Sequence, residues 1–291
     1  MILVAGGTGR LGRLVVAGLG SRGEAVRVLT RDPGRAVGLG PNVEVAVGDV
    51  RDPDGLGSAM SGVEAVVSAV HGFAGPGGVT PASVDRDGNG HLVDAAAAEG
   101  TDLVLLSIAG AAADAPMDLA RMKHAAERRA IASGVPTTVV RPTAFMELWI
   151  EILRRTGARS GRPLVFGRGV NPINFVSVVD VAALVTRVTL DGGTRGEIFE
   201  IGGPEDLGLG ELAEAVVAAD GGSGTPRHLP RPFLRIFAST VGVVRPSLGR
   251  QMRGSIAMDT EPMVFRGGDD VRRRFREVPT HSVADVLAGV E

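Results

Sequence analysis

From Ile2 to Val140, short apolar runs alternate with stretches of helical period, and this alternation constrains the fold more than any other feature. Ile2–Ala5, Ala25–Thr30, Val43–Val47, Glu64–Val70, Leu103–Ile108 and Thr137–Val140 read as buried strands. Leu11–Leu19, Leu92–Ala98 and Leu119–Ala132 carry apolar residues at helical spacing. Strands that alternate with helices build βαβ units with right-handed crossovers and a parallel sheet. After Pro142 the pattern becomes irregular. Helical stretches are expected at Phe145–Leu153, Val179–Leu190 and Gly210–Ala219, short strands within Pro163–Val178 and at Glu197–Ile201, and helices through His228–Met258. A last helix is expected near the caps Thr280 or Ser282. The Gly/Pro-rich stretch His71–Pro81 is too long for an ordinary strand-to-helix turn and reads as an active-site loop.

Composition narrows the function. The chain has 291 residues, 31 basic and 33 acidic, with a net charge of −2, so nucleic acid is not an expected partner. It has no Cys, which excludes disulfides, thiol nucleophiles and thiolate zinc sites, and no metal site is expected. No run of about 20 apolar residues exists and no charged leader precedes the first strand, so no membrane partner is expected and a cytoplasmic location is.

The first strand ends in Gly6-Gly7-Thr8-Gly9-Arg10-Leu11-Gly12, a G-x-x-G-x-x-G turn at a strand-to-helix junction. Glycines there permit a tight turn, close approach of a pyrophosphate and close helix–strand packing, while the helix N-terminus offers N–H groups to phosphate. Gly6, Thr8, Gly9, Arg10, Leu11 and Gly12 are therefore candidate cofactor ligands. Arg10 stands where the helix dipole disfavours a cation, which a bound anion would reverse; a solvated Arg is the alternative. Arg31 follows the second strand, where an Arg suits a 2′-phosphate and a carboxylate such as Asp32 suits a 2′-hydroxyl. NADP is favoured, with NAD possible. Asp49 and Val50 follow the third strand, on the adenine side; an Asx turn is the alternative role for Asp49. The fold class is α/β: a doubly wound parallel Rossmann sheet with a small C-terminal α+β substrate subdomain. The expected boundaries are 1–145 with 179–203 for cofactor, and 146–178 with 204–291 for substrate.

GGTGRLG, TRDP, GDVRD, SGVPTTVVRPTAFME, FVSVVDVAALV and FEIGGPEDLGLGELAEAV together resemble the atypical short-chain dehydrogenase/reductases, closest to NmrA-like and extended-type members. The resemblance covers nearly the whole chain and loosens between Arg227 and Met258. It implies NAD(P) binding and leaves the substrate open, because the family spans reductases, epimerases, isomerases and non-catalytic sensors. Family enzymes carry Tyr-x-x-x-Lys. Here Lys123 is present, Leu119 stands in the Tyr position, and the chain has no Tyr at all.

Lys123 is the only Lys beside 30 Arg, which points to a position where an ammonium is needed as such. The resemblance implies that it binds the nicotinamide ribose; an i,i+4 surface pair with Glu127 is the alternative. Ser107, at the end of the fifth strand, can polarise a carbonyl, or bond its own backbone. His71 opens the Gly/Pro-rich loop and can act as acid or base, or do nothing chemical. Pro142 follows the sixth strand on the nicotinamide side. Phe145, Met146 and Trp149 are candidate substrate contacts, or else core. The segment Pro232–Phe237 reads as a substrate lid helix more readily than as a membrane-surface helix. These readings lead to an NAD(P)H-dependent oxidoreductase acting on a small, fairly apolar carbonyl or quinone-like substrate, as a monomer or homodimer. The alternative is a non-catalytic NAD(P)-sensing regulator.

Overall fold

A computed structural model describes residues 1–73, 75, 78–268 and 270–290. In chain order the first elements are β1 (Ile2–Ala5), α1 (Arg10–Gly20), β2 (Val26–Thr30), β3 (Val43–Val47), α2 (Leu56–Met60), β4 (Ala65–Ser68), α3 (Asn89–Glu99), β5 (Asp102–Leu106), α4 (Asp118–Ser133) and β6 (Thr137–Pro142). There follow β7 (Ala144–Phe145), α5 (Met146–Gly157), β8 (Leu164–Phe166), β9 (Ile173–Val176), α6 (Val178–Thr189), β10 (Ile198–Ile201) and β11 (Asp206–Leu207). The last are α7 (Leu209–Ala219), β12 (Arg227–Leu229), α8 (Arg231–Val244), α9 (Pro246–Thr260), α10 (Asp270–Arg274) and α11 (Val283–Ala288).

The central sheet has seven strands in the order β10–β6–β5–β4–β1–β2–β3, and the pairs from β6 across to β3 are parallel. The apolar runs explain their places. β1 and β4 are buried along their whole length, as expected of parallel strands covered on both faces. β3 lies at the edge and leaves Val45 and Val47 exposed. α1 buries Leu11, Val15, Val16 and Leu19, a single stripe at helical spacing. The chain winds from β1 to β3 on one side and from β4 to β6 on the other. The direction therefore reverses between β1 and β4, where doubly wound sheets bind ligands.

The chain divides into two compact units. The first comprises Met1–Arg141, Val181–Glu200 and Val271–Val278. Its main core joins Leu3, Leu92, Leu103 and Leu105 to Met60 and Val66, all nearly free of solvent contact. The late segment is held there by Phe275 edge-on to Phe199 at 5.6 Å, with Arg274 over both rings. The second unit comprises Pro142–Asp180, Ile201–Asp270 and Pro279–Glu291. It holds a three-stranded sheet, β11–β9–β7, and a two-stranded one, β12–β8. Its core is built from Met146, Ile150, Leu153, Phe175, Leu212 and Val216. α8 and α9 touch where a Cβ on Gly249 would meet Gly242 Cα at 2.6 Å. α8 leaves Phe233, Ile236 and Phe237 exposed. Ser282 caps α11 through a reciprocal box with Asp285.

One segment departs from the two periods read in the sequence. The His71–Pro81 stretch, in which residues 74, 76 and 77 lie outside those described, ends in a Thr80–Ser83 capping box. A π-helical turn, Pro81–Gly88, then runs directly into α3. Among the described residues no helix is long and apolar enough to cross a membrane, and no group of three or more His, Asp and Glu could hold a metal.

Candidate active site

The glycine turn sits against the end of β4. Gly6 has φ +86°, and a Cβ there would stand 2.7 Å from the Ala69 carbonyl oxygen. A Cβ on Gly12 would drive into the Gly6 carbonyl, so turn and helix pack backbone to backbone. Gly9 is the N-cap of α1; no side chain caps this end, and its first turn holds no acid. Leu11 is buried, so it can offer a ligand only its backbone N–H. Arg10 is exposed at the first helical position and Thr8 is half-buried. An uncapped helix end behind a turn without Cβ atoms fits a pyrophosphate.

At the end of β2 the two rivals for the ribose separate. Asp32, itself exposed, accepts the Gly34 N–H at 2.9 Å and caps the turn Pro33–Ala36. Arg31 stays about half exposed, 3.8 Å from Asp49. Asp49 closes an Asx turn by accepting the Arg51 N–H at 3.0 Å, and holds the Arg51 guanidinium at 2.6 Å. These bonds from Arg51 outweigh partial burial and keep its carboxyl below the usual range, with Arg31 adding to the effect. Val50 is buried, and its carbonyl meets His91 Nδ1 at 2.8 Å.

Lys123 gathers the ends of two neighbouring strands. It is 2% exposed, and its ammonium donates to the Val70 carbonyl at 2.9 Å and to the Leu106 carbonyl at 2.8 Å. The next residue after each carbonyl is a predicted site residue, His71 after Val70 and Ser107 after Leu106. The third neighbour of the ammonium is Asp85 on the π-helical turn, 3.0 Å away as an ion pair. The surface pair with Glu127 does not form: Glu127 is itself buried and holds Arg141 at 2.6 Å. Leu119, half-buried, lies one turn before Lys123.

Ser107 is 1% exposed and its hydroxyl has no hydrogen-bond partner among the described residues. A buried hydroxyl without a partner costs stability and marks a position kept for another reason. His71 is open to solvent but ringed by protein atoms. That crowding pushes its imidazole pKa down; Asp85 opposes the shift and Lys123 reinforces it. Sequence reasoning missed Asp85. The usable signal was the lone Lys, because an ammonium inside a fold requires a carboxylate.

The candidate substrate contacts belong to the second unit. Met146 is fully buried in its core, so its side chain packs there and lines no open pocket. Pro142 is buried, and Phe145, half-buried, forms the N-cap of α5. Trp149 packs on the same core and borders a cavity of about 10 Å³, room for a single water, with Phe166, Asn171 and Met258.

A Rossmann sheet with this turn defines a class of dinucleotide-binding proteins. The sequence profile of the NAD(P)H-binding family matches residues 6–190, and the chain belongs to that family. The cofactor is accordingly NAD(P)(H). The chain is 33% identical over 249 residues to (4-alkanoyl-5-oxo-2,5-dihydrofuran-3-yl)methyl phosphate reductase of Streptomyces griseus, covering 85% of this chain and 80% of that one. It is 30% identical over 227 residues to the NAD(P)H azoreductase of Xenophilus azovorans, covering 76% and 74%. In fold it is similar to an NADPH-dependent quinone oxidoreductase of Escherichia coli solved with NADPH, with TM-score 0.80, 21% identity, and coverage of 100% and 99%.

Proposed function

We propose that this NAD(P)H-dependent oxidoreductase reduces a small, fairly apolar carbonyl or quinone-like compound, with NADP(H) preferred, in the cytoplasm as a monomer or homodimer. One observation carries the reading: Lys123 draws together the strand ends that bear His71 and Ser107, beside the sheet's point of reversal and the glycine turn. The names of the two curated relatives, both reductases, support it. Bound cofactor supplies the hydride. The uncapped end of α1 holds the pyrophosphate, Arg31 the 2′-phosphate, and Asp49 and Val50 flank the adenine. Lys123 turns the N–H that is not committed to a carbonyl towards the ribose. The Ser107 hydroxyl donates to the developing oxyanion. His71, open to solvent in its recess, supplies the proton that a Tyr supplies elsewhere.

The regulatory alternative is favoured by one observation, the half-buried Leu119 where a phenol would act in a chain with no Tyr. NADPH oxidation measured against a panel of quinones, aldehydes and azo compounds separates the two. Turnover of any panel member supports the enzyme. Tight NADPH binding with no turnover across the panel supports the sensor.

A further inference from the structure

The Lys123 corner contains a group with no role in the reaction proposed above. Asp85 is 0% exposed. Its Oδ2 accepts the Gly72 N–H at 2.8 Å, and its Oδ1 faces the Lys123 ammonium at 3.0 Å without an aligned hydrogen bond. We propose that Asp85 is a positioning residue acting on both Lys123 and His71: it holds the ammonium against the ends of β4 and β5, and through Gly72 it fixes where the imidazole stands. This rests on reading the corner as the reaction site.

The local backbone is built around this carboxylate. A π-helical turn closes its backbone hydrogen bonds over one residue more than an α-helix, and such turns recur at functional sites. This one is pinned from behind by Asn89, whose amide donates to the Asp85 carbonyl at 2.8 Å while its oxygen accepts the Ser68 hydroxyl. Gly72 has no room for a side chain, since a Cβ would drive into the Thr80 carbonyl. The peptide next to His71 is therefore clamped on one side by Thr80 and on the other by Asp85. A carboxylate that only tied helix to sheet would not need to reach both the lone Lys and the neighbour of His71.

The charges around His71 are few. Asp85 favours the imidazolium and Lys123 disfavours it. Four ion pairs engage other charges on the same elements: Arg86 with Asp87, Arg121 with Asp118, Glu127 with Arg141, and Arg129 with Asp94, while Arg128 and Glu99 are exposed. His124 faces Glu127 at 3.9 Å, and His91 faces the Val50 carbonyl. Opposite charges at one corner thus give opposite signs when each is removed.

The test is the titration of His71 by NMR, without cofactor or substrate, its signal assigned from a His71→Gln spectrum. Asp85→Asn keeps the acceptor for Gly72 and removes the charge; the His71 midpoint should fall. Lys123→Met should raise it. The double variant should return it towards wild type. In the pH profile of NADPH-dependent reduction, the limb set by His71 should move in Asp85→Asn in the same direction as the NMR midpoint. An unmoved midpoint in both single variants, or one moved in the same direction by both, overturns the proposal. If Asp85→Asn does not fold, Lys123→Met and the charge-free double variant decide: a raised midpoint in the first that reverts in the second supports it, and any other pair of results refutes it. Failure of wild type to bind NADPH would remove the functional reading and leave the His71 result standing by itself.

Discussion

Lys123→Met removes the positive half of a buried pair and strands the Asp85 carboxylate, which is 0% exposed and keeps only the Gly72 N–H. Breaking such a pair from one side costs about 3–5 kcal/mol, because the remaining charge stays buried without compensation. The Val70 and Leu106 carbonyls lose their donor at the same time. A surface i,i+4 pair, by contrast, contributes at most about 0.5 kcal/mol. At about 2 °C per kcal/mol for a chain of this size, the melting temperature should fall by roughly 6–10 °C. Urea unfolding of cofactor-free protein gives the free energy directly, followed by far-UV circular dichroism. The single Trp, Trp149, lies in the second unit, so its fluorescence reports the wrong part of the molecule. Lys123→Met/Asp85→Asn carries no stranded charge and should recover more than half of the loss. A loss below about 1 kcal/mol in Lys123→Met, or no recovery in the double variant, would refute the reasoning.

Arg31→Ala should weaken NADPH by about 1.5–3 kcal/mol and leave NADH nearly unchanged, read by calorimetric titration. Gly12→Ala forces backbone apart at the turn; about 1–3 kcal/mol of stability should be lost, with most of the NADPH affinity, both visible in thermal melts with and without cofactor. Burial works to raise the Asp259 carboxyl, but N–H groups of Gly169 and Arg168 and the Arg231 guanidinium outweigh it and hold it below the usual range. A folded value below the unfolded one means that this stabilisation is present above about pH 4 and fades as pH falls through the folded value, so Asp259→Asn should flatten the acid limb of the stability curve. Leu119→Tyr places a phenol one turn before Lys123 and should accelerate carbonyl reduction in a stopped-flow assay of NADPH oxidation.

The sheet was legible because its strands are short apolar runs and its helices carry a plain 3.6 period, as in Ile2–Ala5 and Leu11–Leu19. The glycine turn was legible because its geometry leaves no room for Cβ atoms. The turn Pro81–Gly88 was not, because a π-helical period matches neither template and begins inside a Gly/Pro-rich stretch. Asp85 stayed hidden with it. Met146 could be read either way, because one apolar residue after a strand fits a pocket or a core equally well, and the structure places its side chain in the core of the second unit. The return of Val271–Val278 to the first unit depends on Phe275 meeting Phe199, a pairing far apart in sequence that no local pattern announces.

The burial of Lys123 has a consequence for amine chemistry. Arg side chains do not react with acylating esters at neutral pH, and this chain has one Lys beside 30 Arg. Lys123 as a whole is 2% exposed. The Met1 amino group pairs with Glu64 at 3.4 Å, across a side chain that is largely exposed. An acylating reagent therefore meets two amines of very different reach. Mass spectrometry after timed exposure resolves them as one rapid addition at the chain terminus and one slow addition at Lys123. The slow rate counts how often the corner between β4, β5 and the π-helical turn comes apart, so the native chain is its own single-site reporter of that opening.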